Sequence, residues 1–385
     1  MVVNAWKDDL TNRISLADPI LGDEEKEALC GVIDSGWMTM GERVAEFERS
    51  FANLHRVEDA IAVSSCTAGL HLTLQALGIE QGDEVLVPSL TFVATVNAIS
   101  YVNAAPVFVD IYDEKNPHIS IEDAEIKCTS RTKAVIVMHY GGYPVDLPSW
   151  RSFADKKGIF LIEDAAHAPA VGEVGRFSDA SVFSFFSNKN MTTAEGGMVM
   201  ARDSSVLERI RRLRGHAMTT DTLTRDRGHA YSYDVNMLGY NYRMDELRAG
   251  LGLVQLPRLR EWNKKRRKLT ELYRKNLSVH LPEIDIPFRH DQETAAHLMP
   301  VLLPSGANRE KIMMQLRSTG IQSSIHYPPV HHFSYYQKRF PTVILPRTEE
   351  FSKRELSLPL HPSLTEDDII RVVNHLAEAV LHQYK

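Results

Sequence analysis

The stretch Phe183-Ser184-Phe185-Phe186-Ser187-Asn188-Lys189-Asn190-Met191-Thr192-Thr193-Ala194-Glu195-Gly196-Gly197 places one lysine, Lys189, between two apolar runs. Ala180 to Phe186 reads as a strand, and Met198 to Ala201 as a second, so Lys189 sits in the loop between them. Loops at strand ends, held by a rigid scaffold, are where chemistry concentrates. A lysine partly removed from water gives up its proton more readily, and its neutral amine can attack a carbonyl carbon. An isolated loop lysine is ordinarily just a solvated surface residue. The meaning of Lys189 therefore depends on its companions.

The chain has 385 residues, enough for two domains and a large core, with 43% hydrophobic and 24% charged residues. A formal net charge of -6 gives no global electrostatic case for nucleic acid or an anionic membrane surface. Cys30, Cys66 and Cys128 are an odd number without CxxC spacing, which argues against a disulfide framework or a zinc ribbon. The first residues lack a basic segment leading into an apolar one, and no apolar run approaches the ~20 residues that span a bilayer. These features predict a cytoplasmic protein.

Outward from Lys189, the preceding hundred or so residues alternate strand and helix. Strand-like runs at Asp59–Val63, Glu84–Val87, Pro106–Asp110, Lys133–His139 and Ile159–Glu163 are separated by helical patterns at Gly69–Leu77, Val93–Tyr101, Ile121–Ile126 and Trp150–Lys156. Short apolar strands separated by helices predict an α/β fold with a mostly parallel sheet covered on both faces. Ligands of such sheets bind beyond the carboxyl ends of the strands.

Three strand ends are informative. Ser64-Ser65-Cys66-Thr67-Ala68-Gly69 opens a helix with small and hydroxyl residues, which suits either an anion at the helix N-terminus or ordinary capping by Ser65 or Thr67. There is no GxGxxG or GxxxxGK[ST] to indicate a dinucleotide or a P-loop. Phe92, just past a strand, can lie against an aromatic ring or belong to the core. The fifth strand delivers Glu163-Asp164-Ala165-Ala166-His167, and period-2 alternation sends Glu163 and Asp164 to opposite faces. A buried aspartate needs a cation or several donors, and a protonated pyridine nitrogen is one such partner. Neither HExxH nor GxSxG supports a zinc or serine-triad reading of the Asp/His pair.

At the start, residues 1–50 read as an arm and a helix whose acidic first turn is Asp23-Glu24-Glu25 and whose stop is Gly36. Trp37 and Met38, in the glycine-bracketed loop Gly36 to Gly41, are candidate substrate contacts as well as packing anchors. Residues 215–240 read as a polar excursion. A helix from Met244 to Leu256 ends at Pro257, which divides a large domain, 51–257, from a smaller α+β domain, 258–385. Basic Lys264 to Lys268 lie on the solvated side of an amphipathic helix, Arg258–Leu277. A strand His297–Leu303, a helix Arg309–Ser318, a strand Ile321–Ile325 and helices near Glu349–Leu356 and Glu366–Gln383 follow. The loop Ser324 to His332 carries three histidines, but its prolines break any single helical face and no acidic or cysteine ligand lies close in sequence, so no metal is assigned.

Taken together, Gly36-Trp37-Met38-Thr39, Ser65-Cys66-Thr67-Ala68, Pro88 to Thr95, His139-Tyr140-Gly141-Gly142, Glu163 to Ala168, Ser184 to Gly197, Gly239-Tyr240-Asn241-Tyr242-Arg243 and His326-Tyr327-Pro328-Pro329 resemble the DegT/DnrJ/StrS family of pyridoxal-phosphate-dependent sugar aminotransferases. The resemblance covers Gly22 to Pro362 and implies the fold-type I architecture: a large domain with a seven-stranded, mostly parallel sheet and a smaller C-terminal domain. It implies that Lys189 carries pyridoxal 5'-phosphate covalently, that Asp164 pairs with its ring nitrogen, that His167 sits near the ring and that Phe92 stacks on it. The phosphate falls to Cys66, Thr67, Ala68 and Ser184, and to Asn241 reaching over from a second subunit, which implies a homodimer with shared sites. His326 and Tyr327 join Trp37 and Met38 as substrate contacts.

The same resemblance implies transfer of an amino group from L-glutamate to a keto sugar carried on a nucleotide, with a keto-cyclitol as the alternative acceptor. A sugar dehydratase of the family would have histidine in place of Lys189. A non-catalytic regulator finds no attached helix-turn-helix segment. Two positions depart from the family pattern, Cys66 and Ala194, where glycine is usual; only glycine enters positive φ freely.

Overall fold

The computed structural model describes residues 13–220, 228, 232–289, 291 and 293–382. Helix α1 (Asp23–Ser35) ends where Gly36 turns left-handed, at φ 71°, and donates its N–H to Ile33 O. Helix α2 (Glu42–His55) follows. Strands β1 (Ile61–Val63), β2 (Glu84–Pro88), β3 (Ala105–Val109), β4 (Thr132–Met138), β5 (Phe160–Asp164), β6 (Ala180–Ser184) and β7 (Gly197–Ala201) then form one sheet in the order β1-β7-β6-β5-β4-β2-β3. β7 runs against both its neighbours while β6, β5, β4, β2 and β3 pair in parallel. The order puts the carboxyl ends of β5 and β6 side by side, with β1 beyond β7 and ending on the same side of the sheet.

The crossover helices α3 (Cys66–Ala76), α4 (Val93–Tyr101), α5 (Ile121–Lys127) and α6 (Leu147–Lys157) cover the sheet, and α7 (Ser204–Leu213) follows β7. Because both faces are covered, the strands bury consecutive residues: Ile61, Ala62 and Val63, and Leu161 and Ile162, are fully enclosed. Helix α3 must lie very close to the sheet. A Cβ at Gly197 would stand 2.7 Å from the Cys66 N and 2.8 Å from the Phe183 O, so only glycine fits where β7 passes under the N-terminus of α3.

Helix α8 (Glu246–Gln255) runs back beside α1 and α2. Its buried Glu246 accepts from the backbone N–H groups of Gly41 and Val44, both at 2.9 Å, and of Arg43 at 3.0 Å. This carboxylate caps α2, which has no side-chain cap of its own.

The long helix α9 (Leu259–His280) leads into β8 (Met299–Leu302), α10 (Arg309–Ser318), α11 (Ser334–Arg339), α12 (Pro346–Arg354), β9 (Glu355–Leu358) and α13 (Glu366–Leu381). Its basic run is solvated at Lys264, Lys265 and Lys268, but Arg266 is buried and donates to Leu360 O at 2.6 Å. Tyr273, Leu277, Leu356, Leu358, Ile369 and Leu376 share a separate core with Ile14. Val330, Tyr336 and Leu345 pack instead with the large-sheet core.

Two expected elements differ. Ile321–Ile325 makes only isolated bridges, Ile14 to Ile321 and Ser324 to Ser357. The helix expected to reach Leu356 stops at Arg354, because Glu355–Leu358 pairs antiparallel with β8 and carries Leu356 and Leu358 into the core. The expected excursion at 215–240 falls partly outside the described residues. Its described limbs run antiparallel, with bridges from Gly215 to Asn241 and from Met218 to Val235.

Candidate active site

Lys189 follows β6 in a loop tied back on itself: Lys189 N–H donates to Phe186 O at 2.9 Å, Thr193 N–H to Phe185 O at 2.9 Å, and Phe185 N–H to Gly196 O at 3.0 Å. The side chain is half-buried, and its Nζ lies 3.4 Å from Nε2 of His297. Removal from water brings the amine down to about 8, against the opposing pull of Asp164. An amine in that range is neutral often enough to act as a nucleophile and a proton acceptor near neutral pH.

Asp164 closes β5, and alternation separates it from Glu163 as expected. Glu163 turns to a different network, bonded to His139 Nε2 at 2.7 Å and Ser181 Oγ at 2.9 Å. Asp164 is buried and accepts from Thr95 Oγ1 at 2.6 Å and from the Ala166 N–H at 3.1 Å. Burial pushes its carboxyl up, while those two donors and Lys189 pull the other way. A cationic N–H brought to this carboxylate would complete its compensation.

His167 is buried, its Nε2 3.0 Å from the Tyr327 hydroxyl and its ring centroid 4.2 Å from that of His297. Burial holds it well below the ordinary imidazole range, hence neutral, and its Nδ1 is buried without a hydrogen-bond partner. At the rim, Phe92 is 55% exposed despite its size, with its ring centroid 6.0 Å from that of Tyr327.

The turn Cys66-Thr67-Ala68 opens α3, where Ser65 Oγ accepts the Ala68 N–H at 3.1 Å. Burial raises the Cys66 thiol, which stays protonated and reaches Val182 O at 3.8 Å. Ser184, at the end of β6, is buried and accepts from Phe186 N at 3.3 Å. Asn241 is exposed, in a segment anchored beside β1 by the Ser64 N–H donating to Tyr242 O at 2.8 Å.

His326 donates its N–H to Glu355 Oε2 and pairs Nδ1 with Ser357 Oγ, both at 2.8 Å, while its carbonyl accepts from the Tyr140 hydroxyl. Burial takes its ring down to about 3. The structure thus brings Lys189, Asp164, His167, His326 and Tyr327 together. Trp37 and Met38 lie elsewhere in the chain: Trp37 Nε1 donates to Met40 O at 3.4 Å, and Met38 O accepts the N–H of Glu246 at the start of α8.

Sequence reasoning missed three polar residues at the site: Thr95, Asn190 and His297. His297 was legible only as the start of a strand. Of the two family departures, Ala194 does sit at positive φ, 67°, whereas Cys66 begins a regular helix with no positive φ.

A strand-end amine, a buried carboxylate, an unpartnered buried imidazole nitrogen, an exposed aromatic face and a helix N-terminus lined by hydroxyls fit pyridoxal phosphate. Such a set of groups suits the chemistry of a fold-type I, pyridoxal-phosphate-dependent transaminase. The sequence profile of the DegT/DnrJ/EryC1/StrS aminotransferase family matches residues 19–377, and the chain belongs to that family.

Solved structures agree. PseC from Helicobacter pylori, an aminotransferase involved in the biosynthesis of pseudoaminic acid, superposes with a TM-score of 0.89 at 28% identity, covering 96% of this chain and 100% of its own. A putative sugar aminotransferase, Spr1654 from Streptococcus pneumoniae, is known in PLP and PMP forms, each with a TM-score of 0.88 at 26% identity over 96% of this chain and 99% of that one. DesI, solved in the presence of its TDP-sugar product, gives a TM-score of 0.86 at 31% identity over 97% of this chain and 94% of its own.

Proposed function

We propose that this sugar aminotransferase takes its amino group from L-glutamate and delivers it to a keto sugar carried on a nucleoside diphosphate. The observation that carries the reading is the pairing of a depressed lysine, Lys189, with a buried carboxylate, Asp164, at adjacent strand ends. The likeness to DesI, with its TDP-sugar product, supports the nucleotide carrier.

When bound, the cofactor supplies an electron sink that lets a proton leave the amino donor's α-carbon. Asp164, fixed by Thr95 and the Ala166 N–H, would hold a proton on the ring nitrogen. The Lys189 amine is the proton carrier at its Nζ, since its loop holds it over the site and burial keeps it near neutrality. Phe92 and His167 would hold the ring, with His167 fixed by the Tyr327 hydroxyl. The Thr67 and Ser184 hydroxyls and the N–H groups of the Cys66-Thr67-Ala68 turn would hold the phosphate. Asn241, exposed in one chain, serves the site of a second copy in a cytoplasmic homodimer, where Trp37 and Met38 border the sugar together with His326 and Tyr327.

The reading is tested by offering purified protein a panel of keto nucleotide sugars and keto-cyclitols with glutamate, following amino product and 2-oxoglutarate by mass spectrometry. Amination of a nucleotide-linked ketone supports it. Amination of a cyclitol alone replaces the acceptor, and turnover only with other amino acids replaces the donor.

A further inference from the structure

Nothing in the reaction described so far uses His297. It starts the strand region of the smaller domain, is buried, and donates its backbone N–H to Gly141 O at 2.9 Å. Its Nδ1 lies 2.9 Å from Asn190 Oδ1 and its Nε2 3.4 Å from Lys189 Nζ.

The proton positions along this line follow from donors and acceptors alone. Pro169 O can only accept, so the Asn263 group 2.9 Å from it is the amide Nδ2, which leaves Asn263 Oδ1 as an acceptor. Asn190 Nδ2 donates to that oxygen and to Ala295 O, each at 2.8 Å, so Asn190 presents Oδ1 to His297. An oxygen acceptor there requires the proton on Nδ1 of His297. Burial among Lys189, His167, His326 and Arg266 keeps the ring neutral. Nε2 is therefore a lone pair, and it faces the lysine amine. Asn190 and Asn263 are themselves buried, at 4% and 2% exposure, so water does not compete for these bonds.

We infer that His297 is a positioning residue for transamination: locked in its Nδ1–H tautomer by Asn190 and Asn263, it accepts an N–H of the Lys189 amine whenever that amine is free, and so orients its lone pair. The amine is otherwise a flexible terminus with three rotatable donors as the cation. Fixing one N–H on Nε2 leaves the nitrogen lone pair a restricted set of directions. A bond to an acceptor also favours the charged amine, because charge-assisted hydrogen bonds exceed neutral ones. His297 thus works with Asp164 to stop burial from depressing Lys189 further. The inference rests on Lys189 being the amine the cofactor uses, which covalent trapping tests separately.

The experiment reads the amine itself, in the full-length apo-protein. Trace acetic anhydride labelling of Lys189, quantified by peptide mass spectrometry across pH 6 to 11, gives its titration without any turnover. In His297→Leu, the Lys189 midpoint is expected to fall by about one unit; in His297→Gln, whose amide oxygen can accept in place of Nε2, it is expected to return most of the way. Asn190→Leu, which releases the tautomer, should give an intermediate fall. A midpoint unchanged in folded His297→Leu overturns the inference. A second measurement needs no variant to fold: two-bond 1H–15N spectra of labelled wild-type protein should show, besides buried His55, whose Nε2 accepts the Ala170 N–H, a second exchange-protected ring with Nδ1 protonated and Nε2 bare, distinguished by broadening or shifting when cofactor removes the free amine. Protonation of Nε2 at that ring overturns the inference equally.

Discussion

The floor of the site and its rim are built in opposite ways. On the floor, Lys189, Asp164, His167 and His297 lie at strand ends, and the hydrogen bonds that fix them come from Thr95, Ala166, Tyr327 and Asn190 within the same chain. The outer residues are the reverse: Phe92 at the rim and, elsewhere in the chain, Met38 are more than half exposed, Leu238 is 82% exposed, and Asn241 lies exposed between Tyr240 and Tyr242. The groups proposed for the cofactor ring are thus fixed by bonds within one folded chain, while the exposed residues remain open for a ligand or another copy to cover.

The floor should break hardest. Lys189→Ala is expected to abolish turnover while leaving the thermal midpoint within a few degrees, as measured by assay and calorimetry; normal activity would remove the lysine from its role. Asp164→Asn, which cannot hold the ring-nitrogen proton in the same way, should cost about a thousandfold in kcat, on the order of 4 kcal/mol. A twofold loss would show that the ring nitrogen has another partner.

The rim should respond more mildly and through a second copy. Asn241→Ala is expected to weaken cofactor retention about tenfold, near 1.4 kcal/mol. Mixing it with Lys189→Ala protein should restore some complete sites if subunits share them. Confirmed subunit exchange without recovered activity would put Asn241 in its own chain's site or in none.

Between floor and rim, Glu355 bonds to the His326 N–H and Ser357 Oγ and is held by burial at about 8. Its folded-state value lies above its unfolded one, near 4.5, so the folded protein holds an extra proton between them. The stability it contributes is full below pH 4.5 and lost as pH rises through 8. Glu355→Gln should flatten that part of the stability profile in urea melts from pH 5 to 8. An unchanged slope would assign it to other groups. The smallest effect is expected at Ala194, where φ is 67°. Glycine there relieves about 1 kcal/mol of left-handed strain but adds comparable chain entropy to the unfolded state. Ala194→Gly should therefore shift stability by less than about 1 kcal/mol, with activity retained.

How much of this was legible in sequence follows the range of the interactions. Strand alternation is local and separates Glu163 from Asp164, but the choice between them came from the family resemblance; the glycines and apolar runs flanking Lys189 are local as well and place it in a loop without fixing its role. Helix α2 was missed because the group that caps it, Glu246, comes from a distant part of the chain. Strand β9 was missed because Leu356 continues a helical pattern until β8 arrives to pair with it. His297 was missed for the same reason: its proton is set by amides at positions 190 and 263, which only the folded chain brings into line. The pairing of His331 and His332 with Glu349 was equally invisible, since the acid lies on α12.

The central claim is that the amine of Lys189, and no other, bonds covalently to pyridoxal phosphate. Borohydride reduction of the purified holoprotein, followed by peptide mass spectrometry, tests it directly. The account predicts a phosphopyridoxyl mass on the peptide containing Lys189 and its loss in Lys189→Ala. Stoichiometric label on a different lysine, or none on a protein that retains the cofactor's absorption, would contradict it.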